Sequence, residues 1–180
     1  MPFSLDTIPP IYYNLHMINA TTNIPSHKYL KRVELIQELL TETFKDAWRN
    51  IDSSFTIDIL STRDLDGDTY AECDVLTKEE RKEKKIEIRL DELLLADCLE
   101  YMFAGYLGHE LEHARQVATG ELVAHPTENA FIWKGGKISL DYLEYKFRPW
   151  EVLAFEAQEK AIDFLAKKKQ KNMQKELASA

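Results

Sequence analysis

Cysteine is scarce in this chain of 180 residues. Its two cysteines, Cys73 and Cys98, are far apart in sequence and belong to no CxxC pair, which excludes a disulfide framework and favours buried thiols in a reduced, intracellular protein. A run of about 20 apolar residues, as a membrane span requires, is also missing. The most apolar region, 90–107, is interrupted by four acidic side chains. We therefore expect a cytoplasmic protein with no signal peptide and no membrane segment.

Positive charge is in short supply, since the formal net charge is -8. Many of the lysines lie from Lys160 onward, so the rest of the chain is strongly acidic. A strongly acidic chain lacks the broad positive surface that binds the phosphate backbone of a nucleic acid. We therefore expect no nucleic-acid partner. The lysine-rich end, 167–180, is typical of a solvated helix end, where positive charge suits the helix dipole.

Proline is concentrated near the N-terminus, and residues 1–28 show no clean hydrophobic period. This predicts an extended N-terminal segment, followed by one folded domain over residues 29–166. Ser26 can cap a helix that runs to about residue 50. In that helix, apolar residues recur at intervals of three and four, namely at Val33, Ile36, Leu40, Phe44 and Ala47.

Alternating apolar residues then predict strands. They occur at 55–59, in residues 69–75 and at 86–90. A helix is predicted from Leu94 to Thr119, stopped by Gly120, and a hairpin around Gly135 and Gly136. A last helix should open at Pro149 and reach about Leu177. The fold class is therefore α+β, with a small three- or four-stranded sheet.

The segment His109-Glu110-Leu111-Glu112-His113 carries the chemistry. A helix turns about 100° per residue, so His109 and His113 stand one turn apart and differ by about 40° around the axis. Two imidazoles so placed can bind one metal ion, and zinc is the usual occupant. Glu110 is too far around the helix to be the natural third ligand. It is close enough to accept a proton from a water activated by the metal.

A zinc site of this kind needs a third protein ligand. Pro149 suits the first position of a helix, which places Glu151 in its first turn, where the dipole favours a carboxylate. We therefore favour Glu151 as the third ligand. The alternatives are His125, Glu128, Glu144 and Glu156.

Around these residues the sequence resembles the gluzincin class of zinc metallopeptidases, and more narrowly the small single-domain minigluzincins. The resemblance rests on the HExxH motif, on Arg115-Gln116, on 133–135 and on 148–154, and covers about residues 31–165. It implies a zincin-like fold: an N-terminal helix, a small sheet, the HExxH helix, a hairpin and a C-terminal glutamate helix. It also implies Glu151, in an ExxA motif, as the third ligand. One departure is Phe155, which stands where many members have an aspartate that supports a zinc-binding histidine.

The implied function is hydrolysis of peptide bonds in a peptide or protein substrate, with one zinc ion per chain and Glu110 as general base. The resemblance also implies that a strand beside the active helix, here 69–75, pairs with extended substrate. The alternative is a zinc-binding structural or regulatory module of the same fold without turnover. A further hypothesis is that residues 1–28 block the cleft. Four side chains are candidates for stabilising the oxyanion: Tyr142, Tyr145, Arg148 and His125.

Overall fold

The computed structural model describes residues 11–15, 18–49 and 51–179. Its main sheet has five strands, in the spatial order β1 (Ile11–Leu15), β2 (Ile18–Thr22), β3 (Thr56–Thr62), β5 (Lys85–Asp91) and β4 (Ala71–Cys73). The three central strands are parallel, whereas the strands at the two edges are antiparallel to their neighbours. The α+β class is confirmed, but the sheet has five strands rather than three or four. The strand predicted over residues 69–75 is shorter, at Ala71–Cys73.

The additional strands come from the predicted N-terminal segment, 1–28. Strands β1 and β2 form a hairpin, and β2 pairs in parallel with β3. This hairpin lies at the opposite edge of the sheet from β4. Residues 1–10, where the rest of the proposed blocking segment would lie, are outside the described residues.

The N-terminal helix is not continuous. Helix α1 (Ser26–Glu38) runs into a π-helical turn (Leu39–Thr43), which is followed by the short helix α2 (Lys45–Trp48). A π turn inserts a residue into the helical repeat and shifts the buried face. As a result Trp48 is buried and Ala47, predicted to face the core, is exposed. The predicted cap at Ser26 is also wrong, since Pro25 precedes the first turn and no side chain caps it.

The predicted helix over 94–119 is two helices. Helix α3 (Glu92–Ala96) is capped by the carboxylate of Asp91, which accepts from the Leu93 amide. Residues 97–99 interrupt the helix, and α4 (Glu100–Thr119) then carries the HExxH segment. Gly120 ends α4 with a φ of 78°, the left-handed conformation that favours glycine.

A second sheet and a long helix complete the fold. The sheet consists of β6 (Leu122–Ala124), β7 (Ala130–Trp133) and β8 (Gly136–Ser139), and helix α5 spans Pro149–Ser179. Trp150 is buried beneath this sheet, with its ring 5.3 Å from that of Phe131 and 6.2 Å from that of Trp133. These contacts fix the first turn of α5. The lysine-rich end continues α5 and is largely exposed.

One hydrophobic core joins the main sheet to α1, α4 and α5. The alternating residues of β3 and β5 are fully buried in it: Ile57, Ile59, Ile86, Ile88 and Leu90. Helix α4 crosses the middle of this core and packs along α5. Among the described residues, no helix is both long enough and apolar enough to cross a membrane.

Candidate metal centre

Three side chains from two helices converge on one point inside the protein. His109 and His113 stand one turn apart on α4, and Glu151 lies in the first turn of α5. The Nε2 atoms of the two histidines are 3.0 Å apart, and each is 3.2 Å from Oε2 of Glu151. All three residues are buried. The structure thus brings together the three ligands proposed from the sequence.

This triangle has the size that one small metal ion requires. Ligand atoms held about 2.0–2.1 Å from a tetrahedral zinc ion are about 3.3 Å from one another. The edges here measure 3.0 and 3.2 Å. Two imidazoles and one glutamate are also a donor set that zinc hydrolases use. The buried His–His–Glu group can therefore hold a metal ion.

Close contact between α4 and α5 brings the third ligand within reach of the histidines. A Cβ atom at Gly108 would lie 2.6 Å from Cβ of Ala161 and 3.0 Å from the carbonyl oxygen of Ala157. Only glycine leaves room for α5 at this point.

Glu110 is buried but does not belong to the ligand cluster. Burial raises the pKa of its carboxyl group, and the nearby His113 and His109 offset this only in part. The negative charge of Glu110 also helps to raise the pKa of the Cys73 thiol, although burial is the main cause. Cys73 ends β4, and helix α4, which carries Glu110, contacts this edge strand.

The ligands are electrostatically coupled in the absence of a metal. Burial would raise the pKa of Glu151, but its hydrogen bonds to His109 and His113 outweigh burial and lower the pKa to about 2. For His113, burial would lower the pKa, but the hydrogen bond to Glu151 and the charge of Glu110 raise it overall. The site therefore attracts positive charge, which either protons or a metal cation can provide.

Of the four candidate oxyanion donors, the structure brings Tyr145 to the ligands. Its hydroxyl oxygen lies 3.3 Å from Nε2 of His109. Burial raises the pKa of this hydroxyl, and a hydrogen bond to Glu151 adds to the shift, so it stays protonated. By contrast Tyr142 is 90% exposed. Arg148 donates to the carbonyl groups of Leu143 and Leu140.

The alternative third ligands lie elsewhere. Lys137 donates to Glu128, which also lies 3.6 Å from Nε2 of His125. Glu144 pairs with Lys146 on the surface. Glu156 is exposed on α5. Within the described part of the chain, none of these four belongs to the His–His–Glu group.

No protein-family model matches this chain. Neither a curated protein nor a solved structure matches it either. The chemistry of the site therefore has to follow from its own geometry.

Two residues beside the ligands had no role assigned from the sequence. Gln116 is fully buried, and its Oε1 lies 3.1 Å from Nδ1 of His113. Its position three residues after His113 puts it on the same face of α4, a signal that helical spacing provides. Phe155 packs its ring edge-on against His109, with centroids 5.0 Å apart. It contacts the histidine without offering a hydrogen-bond acceptor.

Proposed function

We propose that this protein is a zinc-dependent peptidase that binds one zinc ion through His109, His113 and Glu151. The observation that carries this proposal is the buried triangle of two imidazole nitrogens and one carboxylate oxygen. Structural zinc sites usually have four protein ligands, whereas catalytic sites have three and keep one position open. The described residues supply three.

The side chains around the triangle suit amide hydrolysis. Zinc held there would acidify a water molecule and polarise the scissile carbonyl group. Glu110, buried beside the two histidines, would take a proton from that water and deliver it to the leaving amine. Tyr145, whose hydroxyl lies 3.3 Å from Nε2 of His109, would donate a hydrogen bond to the oxygen on which negative charge develops. This combination supports a gluzincin-like mechanism.

The surroundings also suit an extended peptide. β4 lies at one edge of the main sheet and contacts α4, and no other strand in the described part of the chain pairs with its outer side. A substrate strand can pair there. Beside β4, Tyr70 and Tyr106 line a largely apolar cavity of about 420 Å³, together with Met102. Tyr106 lies one turn before Glu110 on the same face of α4. The cavity is large enough for one bulky apolar side chain of a substrate.

A zinc-binding module without turnover is the second candidate. The contact between Phe155 and His109 favours it, because this histidine gains packing there rather than the carboxylate support common in catalytic zinc sites.

Glu110→Gln separates these candidates, because it keeps the shape of the side chain but removes the base. General-base action typically contributes about 10²–10⁴-fold to the rate. We expect the variant to keep one zinc ion per chain and to lose nearly all cleavage of a broad peptide library. Glu156 is an exposed glutamate on α5. Glu156→Gln is therefore the matched control and should cleave the library like wild type.

Three outcomes would contradict the peptidase. A metal analysis that finds no zinc bound to the wild-type protein would refute the metal site. Zinc-loaded wild type that cleaves nothing would favour the module. Equal cleavage by wild type and Glu110→Gln would refute the proposed base. In the same metal analysis, Glu151→Ala should lose zinc, and full retention would refute Glu151 as the third ligand.

A further inference from the structure

The side-chain amide of Gln116 makes three polar contacts, all with buried partners. Oε1 lies 3.1 Å from Nδ1 of His113, while Nε2 donates to Oε1 of Glu112 at 3.2 Å and to the carbonyl oxygen of Trp150 at 3.1 Å. Gln116 itself is fully buried. Its hydrogen-bonding groups therefore depend on these partners rather than on solvent.

The chemistry of the partners fixes the orientation of this amide. A carboxylate and a carbonyl group only accept, so the NH2 end of Gln116 must face Glu112 and Trp150. The carbonyl end must then face His113. Because an amide oxygen only accepts, Nδ1 of His113 has to carry the proton. In the neutral ring the Nε2 lone pair therefore faces His109 and Glu151, and protonation of the ring puts on Nε2 the donor for the hydrogen bond to Glu151.

Glu112 is held in place by a further pair of contacts. Arg115 donates to its carboxylate through both Nε and Nη2, the latter at 2.7 Å, and also pairs with Glu121 at 3.0 Å. A two-point contact between guanidinium and carboxylate is directional. The acceptor that orients the Gln116 amide is therefore itself fixed.

We infer that Gln116 is a positioning residue for the metal centre, acting on both ligand-bearing helices. Its Oε1 accepts a hydrogen bond from Nδ1 of His113, which leaves Nε2 as the ring nitrogen that can bind a metal. Through its own Nε2, Gln116 ties α4 to Trp150, the residue immediately before Glu151. The inference rests on the proposed metal binding. It gives His113 a hydrogen-bond acceptor, whereas Phe155, which packs against His109, provides none to that histidine. The proton on Nδ1 is its direct signature.

Nitrogen-15 NMR of the histidine rings tests this signature in the metal-free and the zinc-loaded protein. At a pH where the ring is neutral, we expect His113 to keep a slowly exchanging proton on Nδ1. Gln116→Met preserves the length of the side chain but removes the acceptor and both donors. It should leave the Nδ1 proton open to exchange and weaken zinc binding about 10–100-fold, as loss of such partners typically does.

Two further variants make the comparison specific. Gln158→Met makes the same substitution at a partly buried position of α5, and it should bind zinc like wild type. Gln116→Glu keeps an acceptor for Nδ1–H but loses both donors. It should keep the Nδ1 proton while lowering the stability of the fold.

A wild-type His113 with no proton on Nδ1 overturns the inference, and this measurement needs no variant to fold. Equal zinc affinities in Gln116→Met and Gln158→Met would overturn it as well. If wild type bound no zinc, the proposed function would fail. The Nδ1 measurement on metal-free protein would still decide whether Gln116 fixes the proton on Nδ1 of His113.

Discussion

Replacing Gly108 by alanine tests whether the contact between α4 and α5 builds the metal centre. The added Cβ would lie 2.6 Å from Cβ of Ala161 and 3.0 Å from the carbonyl oxygen of Ala157. Carbon atoms in good contact are about 3.5–4.0 Å apart, so α5 has to move by about 1 Å. Neither neighbour can rotate away, because one is a methyl group and the other is backbone.

The net effect is a balance between two terms. Overpacking of a core costs typically about 1–3 kcal/mol. Alanine is favoured over glycine in a helix by about 1 kcal/mol. We expect Gly108→Ala to lower the free energy of unfolding by up to about 2 kcal/mol. Zinc affinity should fall as well, because a metal site tolerates displacements of only about 0.2 Å and α5 carries Glu151.

Gly105→Ala is the matched control, one turn earlier on α4. Its Cβ would meet Cγ of Gln158 and Cδ1 of Ile162, both at 3.2 Å, and both belong to flexible side chains. This variant should be about as stable as wild type and bind zinc equally well. Urea unfolding of metal-free protein and zinc titration against a chelator measure the two effects. If Gly108→Ala matched Gly105→Ala in both stability and zinc affinity, the contact at Gly108 would not be needed for the metal centre.

Three other perturbations probe the charges and hydroxyl around the site. Tyr145→Phe should lower kcat/KM about a hundredfold with zinc content unchanged, and undiminished turnover would exclude this hydroxyl as the oxyanion donor. In metal-free protein the pKa of His113 is raised from 6.5, so its protonated form contributes stability that is present below pH 6.5 and lost as pH rises through the folded pKa. Urea unfolding in the presence of a chelator should show that the free energy of unfolding falls over this pH range. The fall should be smaller in His113→Asn. Burial and the charge of Glu110 raise the pKa of Cys73, so iodoacetamide should alkylate this thiol more slowly in folded than in unfolded protein at pH 8. Glu110→Gln should speed that reaction, and an unchanged rate would contradict the coupling.

Short-range periodicity accounts for the parts of the fold that could be predicted. The alternation at Ile57 and Ile59 follows directly from the two-residue repeat of a strand. The hairpin of β1 and β2 could not be predicted in this way, because β2 has few large apolar residues and pairs with β3 across a long stretch of chain. The π turn at Leu39–Thr43 was missed because it changes the phase of the helix without a signal in composition.

The candidate site shows the same division between local and long-range information. His109 and His113 face one point because of the helical repeat alone, and Glu151 was found from the helix start at Pro149. Tyr145 was one candidate among four, since its position depends on the path of the loop between β8 and α5. Gln116 has the spacing of a partner for His113, but its contact with Trp150 exists only once the two helices pack.

The distance along the chain between the ligands has an entropic consequence. Glu151 follows His109 by 42 residues. Closing a flexible loop of that length costs an unfolded chain about 3 kcal/mol of entropy. Packing of α5 on α4 offsets that loss of entropy in the metal-free protein. A metal ion therefore binds to ligands that are already close together. By thermodynamic linkage, metal binding and the packing of the two helices stabilise each other. The free energy by which a bound ion stabilises the packing equals that by which the packing strengthens metal binding. Removing the metal should therefore loosen the first turn of α5 before it affects the main sheet.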